Sequence, residues 1–463
     1  MDDAATPAGG FRTFSILWVT QSISVFGSGI AFFAMTIWLT QTLYPLPEQR
    51  PQLSAALAAV GLASALTMVF TVPLAGAWAD RYDRKRIMLV TGMASGVCSC
   101  IAGALMATGT MTLHAAVLVV AVFAFLGACH GAAFDTAYAM LVPKPMLPRA
   151  NGMMQTMWAL AGILSPAAAA AILAIPALAR QAAWGGRVPA YLASLQDAAP
   201  LAFAVDALTF FLAAGILPLL FIPSPVRSDL KADGKPKQSL VADIKEGAVY
   251  IWRRPPLLWL LATFAIVNLS MAPSGVLRPL YVKFSLATDF AARGYTFETA
   301  LAALNSIGAV GGVAGGVLIS LWGGLRSRRV LGVLLPMAVG GAMQVGMGLT
   351  RFLFWAIGFS VVQNALLPIT NAHSQSIWQA QVPRELQGRV FAVRRLIAQG
   401  SMPLGTAVAG WMGGRFDPGY ALAVLGGVVA VFSALQVFNP HLLHVEDKEW
   451  LDRIATQGTS TTA

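Results

Sequence analysis

Twelve long apolar runs alternate with short polar connections along this chain of 463 residues. They fall at about 14–42, 52–78, 86–109, 112–142, 149–175 and 201–222 in the first half. In the second half they fall at about 257–283, 297–322, 329–350, 352–382, 388–413 and 419–440. A helix needs roughly 20 apolar residues to cross a bilayer, so each run is long enough to span one. The pattern predicts an all-α membrane protein with twelve transmembrane helices, divided six and six by the longest hydrophilic segment, 223–256.

Inside that segment Leu240, Ile244, Val249, Ile251 and Trp252 alternate with Asp243, Lys245, Glu246, Arg253 and Arg254. This predicts a short amphipathic helix lying on the inner leaflet, with a disordered linker as the alternative. Pro255-Pro256 ends it. Four regions follow: an N-terminal six-helix bundle over 1–222, a cytoplasmic linker with the interfacial helix over 223–256, a C-terminal six-helix bundle over 257–441, and a cytoplasmic tail over 442–463.

Composition agrees with the pattern. Only 11% of residues are charged and 57% are hydrophobic, with mean hydropathy +0.68, against roughly a quarter charged in soluble proteins. The net charge of +11 could suggest nucleic acid, but the charges sit in short connections, where they set membrane topology instead. With the N-terminus in the cytoplasm, 23 Lys and Arg fall on the cytoplasmic side and 7 outside, with Arg278 inside a span. Both termini are therefore expected in the cytoplasm. Cys98, Cys100 and Cys129 lie in apolar runs, which fits neither a disulfide framework nor a zinc site. The polar start, Met1 to Gly10, and the length of the first run predict no cleavable signal peptide.

The connection between the second and third runs reads Gly76-Ala77-Trp78-Ala79-Asp80-Arg81-Tyr82-Asp83-Arg84-Lys85-Arg86. Positive-inside bias explains its basic residues but not the acid among them. Trp322 to Arg329, between the eighth and ninth runs, repeats the basic cluster without the Asp, a weak internal repeat. The order Gly-x-x-x-Asp-Arg-x-x-Arg-Lys, carried by Gly76, Asp80, Arg81, Arg84 and Lys85, resembles the loop 2–3 signature of the major facilitator superfamily. The resemblance implies a secondary transporter of two pseudo-symmetric six-helix bundles, monomeric and without cofactor. Gly76 would let helices pack closely. In that superfamily the matching acid meets the positive N-terminal end of span 11 and a neighbouring arginine. Here span 11 opens Gly388-Arg389-Val390-Phe391-Ala392-Val393-Arg394-Arg395, so the resemblance implies a cytoplasmic latch from Asp80 to this end, with Arg389 and Arg394 as partners. One departure is Asp83, where the pattern often has Gly.

Span 5 is similar to the antiporter motif of the same superfamily. Gly152, Ala161, Ser165-Pro166 and Ala169-Ala170 keep its register, with small residues in place of most glycines. Small residues permit tight packing and Pro loosens the helix, which suits a moving gate. Further stretches resemble the macrolide-efflux and enterobactin-exporter branch: Leu141-Val142-Pro143 before Ala150-Asn151-Gly152, Asp243 to Gly247, and Gly388 to Phe391 with Met402-Pro403-Leu404-Gly405. Many proton-linked exporters carry an arginine in the middle of span 4. Val119 to Phe125 has none, so proton coupling would have to use other groups.

Asn364, Pro368, Asn371, Gln375 and Gln379 recur at steps of four, three, four and four, which is one face of span 10. Such a stripe either bonds to other helices or lines a cavity. In the resembled fold spans 1, 4, 7 and 10 surround a central cavity. That makes Gln21, Asn268, Arg278, Asn364, Asn371 and Gln375 candidates to line it, with Met and aromatic neighbours suited to an amphiphilic cargo. Intramembrane ionisable groups are few: Asp135 and His130 in span 4, Asp206 towards the outer end of span 6, and His373 in span 10. A desolvated carboxylate holds a proton more readily, so Asp135 and Asp206 are the candidates for proton coupling. Asp135, on the cavity-forming set, is the first of them. Its alternative role is a bond to the next loop or a cap near Lys144.

The expectation is an exporter of an amphiphilic small molecule in a bacterial cytoplasmic membrane, working by alternating access with proton antiport. The cargo would be a drug, macrolide, siderophore or peptide natural product. A lysolipid flippase, a solute uptake facilitator and a non-transporting receptor are the alternatives. No metal box, Ser-His-Asp grouping or phosphate loop points to an enzyme.

Overall fold

The computed structural model describes residues 9–181, 190, 193, 195, 197–222, 240–383, 386–447 and 450. Among the described residues the regular structure is helical, without strands. Six long helices make up the first half: α1 Gly10–Ile37, α2 Arg50–Arg81, α3 Arg84–Ala107, α4 Leu113–Leu141, α5 Leu147–Gln181 and α6 Ala199–Ile216. The linker holds α7, Leu240–Trp252. The second half holds α8 Pro255–Met271, α9 Ser274–Leu280, α10 Ala287–Ala292, α11 Phe297–Trp322, α12 Leu331–Leu349, α13 Leu353–Gln381, α14 Gln387–Gly400, α15 Met402–Arg415, α16 Pro418–Gln436 and α17 Pro440–Leu443.

Among the described residues eleven helical segments are long and apolar enough to cross a membrane. The remaining run, 388–413, is divided between α14 and α15, each of 14 residues. At 1.5 Å per residue each is about 21 Å long, short of the roughly 30 Å hydrocarbon core. Pro403 explains the break. It has no N–H to donate back to the preceding turn, and it stands in the first turn of α15, where that donor is not needed. The span is broken, which apolar length alone did not reveal. Pro273 divides span 7 in the same way, between α8 and α9.

Side chains show why the helices start where they do. Asp83 caps α3, accepting the Arg86 N–H at 2.8 Å. Thr112 caps α4 through the Ala115 N–H. Asp417 caps α16, accepting from Tyr420 at 3.1 Å, and pairs with Arg351 at 3.3 Å. Burial works against the Arg351 charge, and Asp417 more than restores it, holding the guanidinium above its usual value.

The chain forms two compact units. The first holds Met1–Ala232 and Phe290–Ser306, and the second Asp233–Asp289 and Ile307–Ala463. The sequence boundaries had placed all of 257–441 in one bundle, whereas Phe290–Ser306 groups with the first unit. In the first unit α1 packs on α5 and α6, α2 on α4, and α3 on α4 and α6. Phe14, Leu17, Met88, Phe134 and Leu141 form its fully or nearly fully buried apolar centre. In the second unit α12 packs on α13 and α16, and α14 on α7 and α8. There Leu257, Leu260, Val333, Leu334 and Trp378 are buried together.

Close helix crossings depend on missing side chains. A Cβ on Gly311 or Gly315 of α11 would lie about 2 Å from the carbonyl oxygens of Val361 or Ala365 on α13. Large apolar residues also cover the outside. Phe70 and Leu321, for example, are 72% and 83% exposed. Water would penalise such a surface and lipid accepts it, as expected of a multi-pass membrane protein.

Candidate functional site

The second unit contains a cavity of about 580 Å³. Span 7 contributes Asn268, Ser274 and Arg278, span 10 contributes Asn364, Asn371 and Gln375, and the first half of span 11 contributes Arg394 and Arg395. The break at Pro273 starts a new helix whose Ser274 and Arg278, four residues apart, share one face. On α13 the polar stripe supplies Asn364, Asn371 and Gln375 to the wall, whereas Gln379 is outside it. Phe264, Met271, Met337 and Phe391 give the cavity its apolar side. Five of the six residues expected to line a cavity therefore meet in one place.

Arg278 donates from Nη2 to Gln363 Oε1 at 3.2 Å, Gln363 donates on to Gln344 Oε1 at 2.9 Å, and Gln344 donates to the Leu422 carbonyl. The Arg278 Nε is buried without a hydrogen-bond partner, and so is the Ser274 hydroxyl. Arg394 donates to Gln375 Oε1 at 2.8 Å and to Ser374 Oγ at 3.2 Å, and its guanidinium lies 5.1 Å from the Trp378 ring centre. Asn268 donates to the Ala398 carbonyl at 2.8 Å. Among the described lining residues there are three arginines and no carboxylate. Gln363 and Ser274 were not singled out as site residues from the sequence: Gln363 lies off the Asn364–Gln379 stripe, and a lone serine in a span is unremarkable.

Gln21, the sixth candidate, belongs to the first unit. It is buried, and its Oε1 pairs with His130 Nε2 at 2.8 Å, while His130 Nδ1 meets Thr91 Oγ1 at 3.0 Å. This triad joins α1, α4 and α3. Asp206 is 1% exposed and accepts from Ser28 at 3.0 Å and from Ser99, tying α6 to α1 and α3. Asp135 is different. Ala133, Phe134 and Ala137 are buried on one face of α4, and Asp135 lies on the other, exposed. The burial expected for Asp135 is absent because its register turns it away from that core.

The loop 2–3 residues divide into several roles. Lys85 donates to the Pro218 and Leu220 carbonyls at 2.8 and 2.9 Å, capping the C-terminal end of span 6. Arg84 is buried, donating to the Ala79 carbonyl and to Met140 Sδ. Arg81 is exposed. A Cβ on Gly76 would meet open space, so the close packing expected there is absent; the same holds for Gly152. Asp83 is no misfit where the pattern often has Gly, because it caps α3 at an ordinary φ of −62°. The Asp80 side chain, and with it the expected latch, lies outside the described residues. Arg389 is paired with Glu246 of α7 at 2.5 Å. In span 5 Ser165 is buried and donates to the Phe26 carbonyl at 3.0 Å, where the missing Cβ of Gly29 makes room, and Pro166 lies within α5.

His373 faces away from the cavity towards loop 8–9. Its Nδ1 lies 2.7 Å from the Ile369 carbonyl and its Nε2 accepts the Leu325 N–H at 2.8 Å. Gly323 and Gly324 make that turn with φ near +77°, where glycine is favoured.

Comparison with known proteins gives these features a family. The chain is 21% identical over 425 residues to macrolide efflux protein A of Streptococcus pyogenes, covering 90% of this chain and 93% of that protein. It is 27% identical over 428 residues to the multidrug efflux pump Tap of Mycolicibacterium fortuitum, covering 89% of each. Its fold is similar to that of a bacterial homologue of the human lysosomal transporter Spinster, with TM-score 0.61, 16% identity, and 98% and 96% of the two chains covered. It is also similar to the nucleoside transporter NupG, with TM-score 0.62, 13% identity and 93% and 98% covered. The Major Facilitator Superfamily pattern matches residues 17–406. The chain belongs to the Major Facilitator Superfamily of membrane transporters.

Proposed function

We propose that this transporter exports an amphiphilic small molecule from the cytoplasm by alternating access, in exchange for protons. The cavity of the second unit carries the reading: about 580 Å³, with an amide-rich wall from α13 facing Phe264, Met271, Met337 and Phe391. Amides and arginines suit the polar end of such a cargo, and Met and aromatic side chains adapt to varied apolar shapes. The efflux proteins among its relatives support the direction of transport. A drug, macrolide, siderophore or peptide natural product fits this description. The proposed setting is a bacterial cytoplasmic membrane, with the monomer holding both termini inside and each six-helix half, 1–222 and 257–441, acting as one moving body.

For coupling, Asp135 is the proposed proton carrier, as a carboxylate within span 4, one of the helices that surround the cavity in the resembled fold. Asp206, sealed and held by two serines, is proposed to fasten helices. The test is transport in proteoliposomes with an imposed pH gradient, using macrolides, ethidium and dodecyl phosphate as probes. Accumulation of a probe against its gradient, abolished by collapsing the pH gradient, is the expected result. Transport that ignores the pH gradient would remove antiport, and no transport of any probe in the panel would remove export of such compounds.

A further inference from the structure

Two buried donors of residues that line the cavity have no acceptor. Arg278 Nε and Ser274 Oγ lie four residues apart on α9, both without a hydrogen-bond partner. Buried polar atoms are normally satisfied, so each exception asks for an explanation. The guanidinium has only a neutral protein partner, the Gln363 side-chain oxygen at 3.2 Å. Among the described lining residues no carboxylate balances Arg278, Arg394 or Arg395. A buried cation without a counter-charge is costly, and here the missing counter-charge coincides with the missing acceptors.

We propose that Arg278 and Ser274 form an oxyanion site, and that the cargo carries a carboxylate or phosphate group that docks there. The inference rests on the export reading above and narrows its cargo to anionic amphiphiles. An oxyanion accepts from Arg278 Nε and Ser274 Oγ at once, satisfying both donors and neutralising the guanidinium. The second cation sets the size of the ligand. The α13 partners of Arg278 and Arg394, Gln363 and Gln375, are twelve residues apart, about 18 Å along a helix. Phe264, Met271 and Met337 line the same cavity and would hold an apolar body behind the anionic head. Neutral or cationic cargo leaves the Arg278 charge uncompensated and gains less.

The test uses the full chain, purified in dodecyl maltoside, with tryptophan fluorescence reporting binding. The probes are dodecyl phosphate, dodecanoate, dodecyltrimethylammonium and inorganic phosphate. Both anionic amphiphiles are expected to bind about tenfold or more tighter than the ammonium, the scale of one charge-assisted hydrogen bond. Arg278→Gln should erase the preference, Arg278→Lys should keep part of it, and Ser274→Ala should weaken dodecyl phosphate severalfold without touching the ammonium. If Arg278→Gln fails to fold, Ser274→Ala decides alone. Equal affinity for all three amphiphiles, or a preference that survives in Arg278→Gln and Ser274→Ala, overturns the site. Inorganic phosphate competing as well as dodecyl phosphate assigns the pocket to a free anion and overturns the cargo assignment. Ethidium export by wild-type protein that lacks the anion preference sinks this inference alone. Anion preference in a protein that exports nothing sinks the export reading alone.

Discussion

Arg389, in the first turn of α14, is paired with Glu246 of the linker helix α7, Nη1 to Oε2 at 2.5 Å. One residue further along α7, Gly247 lies so close to the same turn that a Cβ would stand 2.7 Å from the Arg389 carbonyl oxygen. The connecting helix is thus docked on the first half of span 11 by a charge pair and by a backbone contact. Tyr250, on the same helix, donates to the Gln381 carbonyl at 2.7 Å. Burial raises its phenol pKa, and Arg254 pulls the other way.

The two contacts differ in weight. The ion pair is partly exposed, 27% and 44% for its two side chains, and such pairs contribute at most about 1 kcal/mol. Forcing a branched side chain against backbone costs about 1–3 kcal/mol. Gly247→Val should therefore lower the thermal midpoint in detergent clearly more than Glu246→Gln. The reverse ranking would show that charge holds the linker helix.

Asp135 and Asp206 should separate in function and stability. Asp135→Asn is expected to abolish probe accumulation driven by a pH gradient while downhill exchange partly survives. Asp206→Asn keeps a hydrogen-bonding side chain and should affect uphill transport less. Asp206→Ala leaves the Ser28 and Ser99 hydroxyls without their acceptor and should destabilise by about 1–3 kcal/mol. Uphill transport at the unmodified rate in Asp135→Asn would return Asp135 to a structural role.

His373 is wedged against two glycines. A Cβ on Gly332 would lie 2.5 Å from the imidazole ring and one on Gly324 2.8 Å from Nε2. Gly332→Val should destabilise by about 1–3 kcal/mol, and adding His373→Ala should recover part of that loss. A double mutant whose loss equals the sum of the singles would mean the two positions are independent.

Topology is open to a reporter. A periplasm-active enzyme fused after Ala463 should be silent, and one inserted near Gln181 should be active, given the 23 to 7 distribution of basic residues. The opposite pattern would invert the proposed orientation.

Much of the architecture was legible because apolar length and loop charge are direct signatures of a bilayer. The all-helical class and the loop 2–3 and span 10 motifs were visible in the chain. The break at Ser401 was not, since Gly400-Ser401-Met402-Pro403 reads as apolar and small, and only the missing Pro403 donor divides it. Nor was the exposure of Asp135: a residue or two of register decides which face a side chain takes, and its span shows little amphipathic contrast. Arg278 was conspicuous as a charge in a span. Its neighbours Gln363 and Ser274 were not, because their importance comes from what they bond or fail to bond in space.

Asn268 has a consequence for how cargo and protein compete. It lines the cavity and also donates to Ala398, one of the last four carbonyls of α14, which a helix end leaves without an internal partner. Ser401 donates to the same oxygen at 2.9 Å. A guest that displaces this particular N–H would leave Ser401 as the remaining side-chain donor to that oxygen. Cavity wall and broken span thus share one side chain, so a guest that displaced this N–H would loosen the joint between α14 and α15.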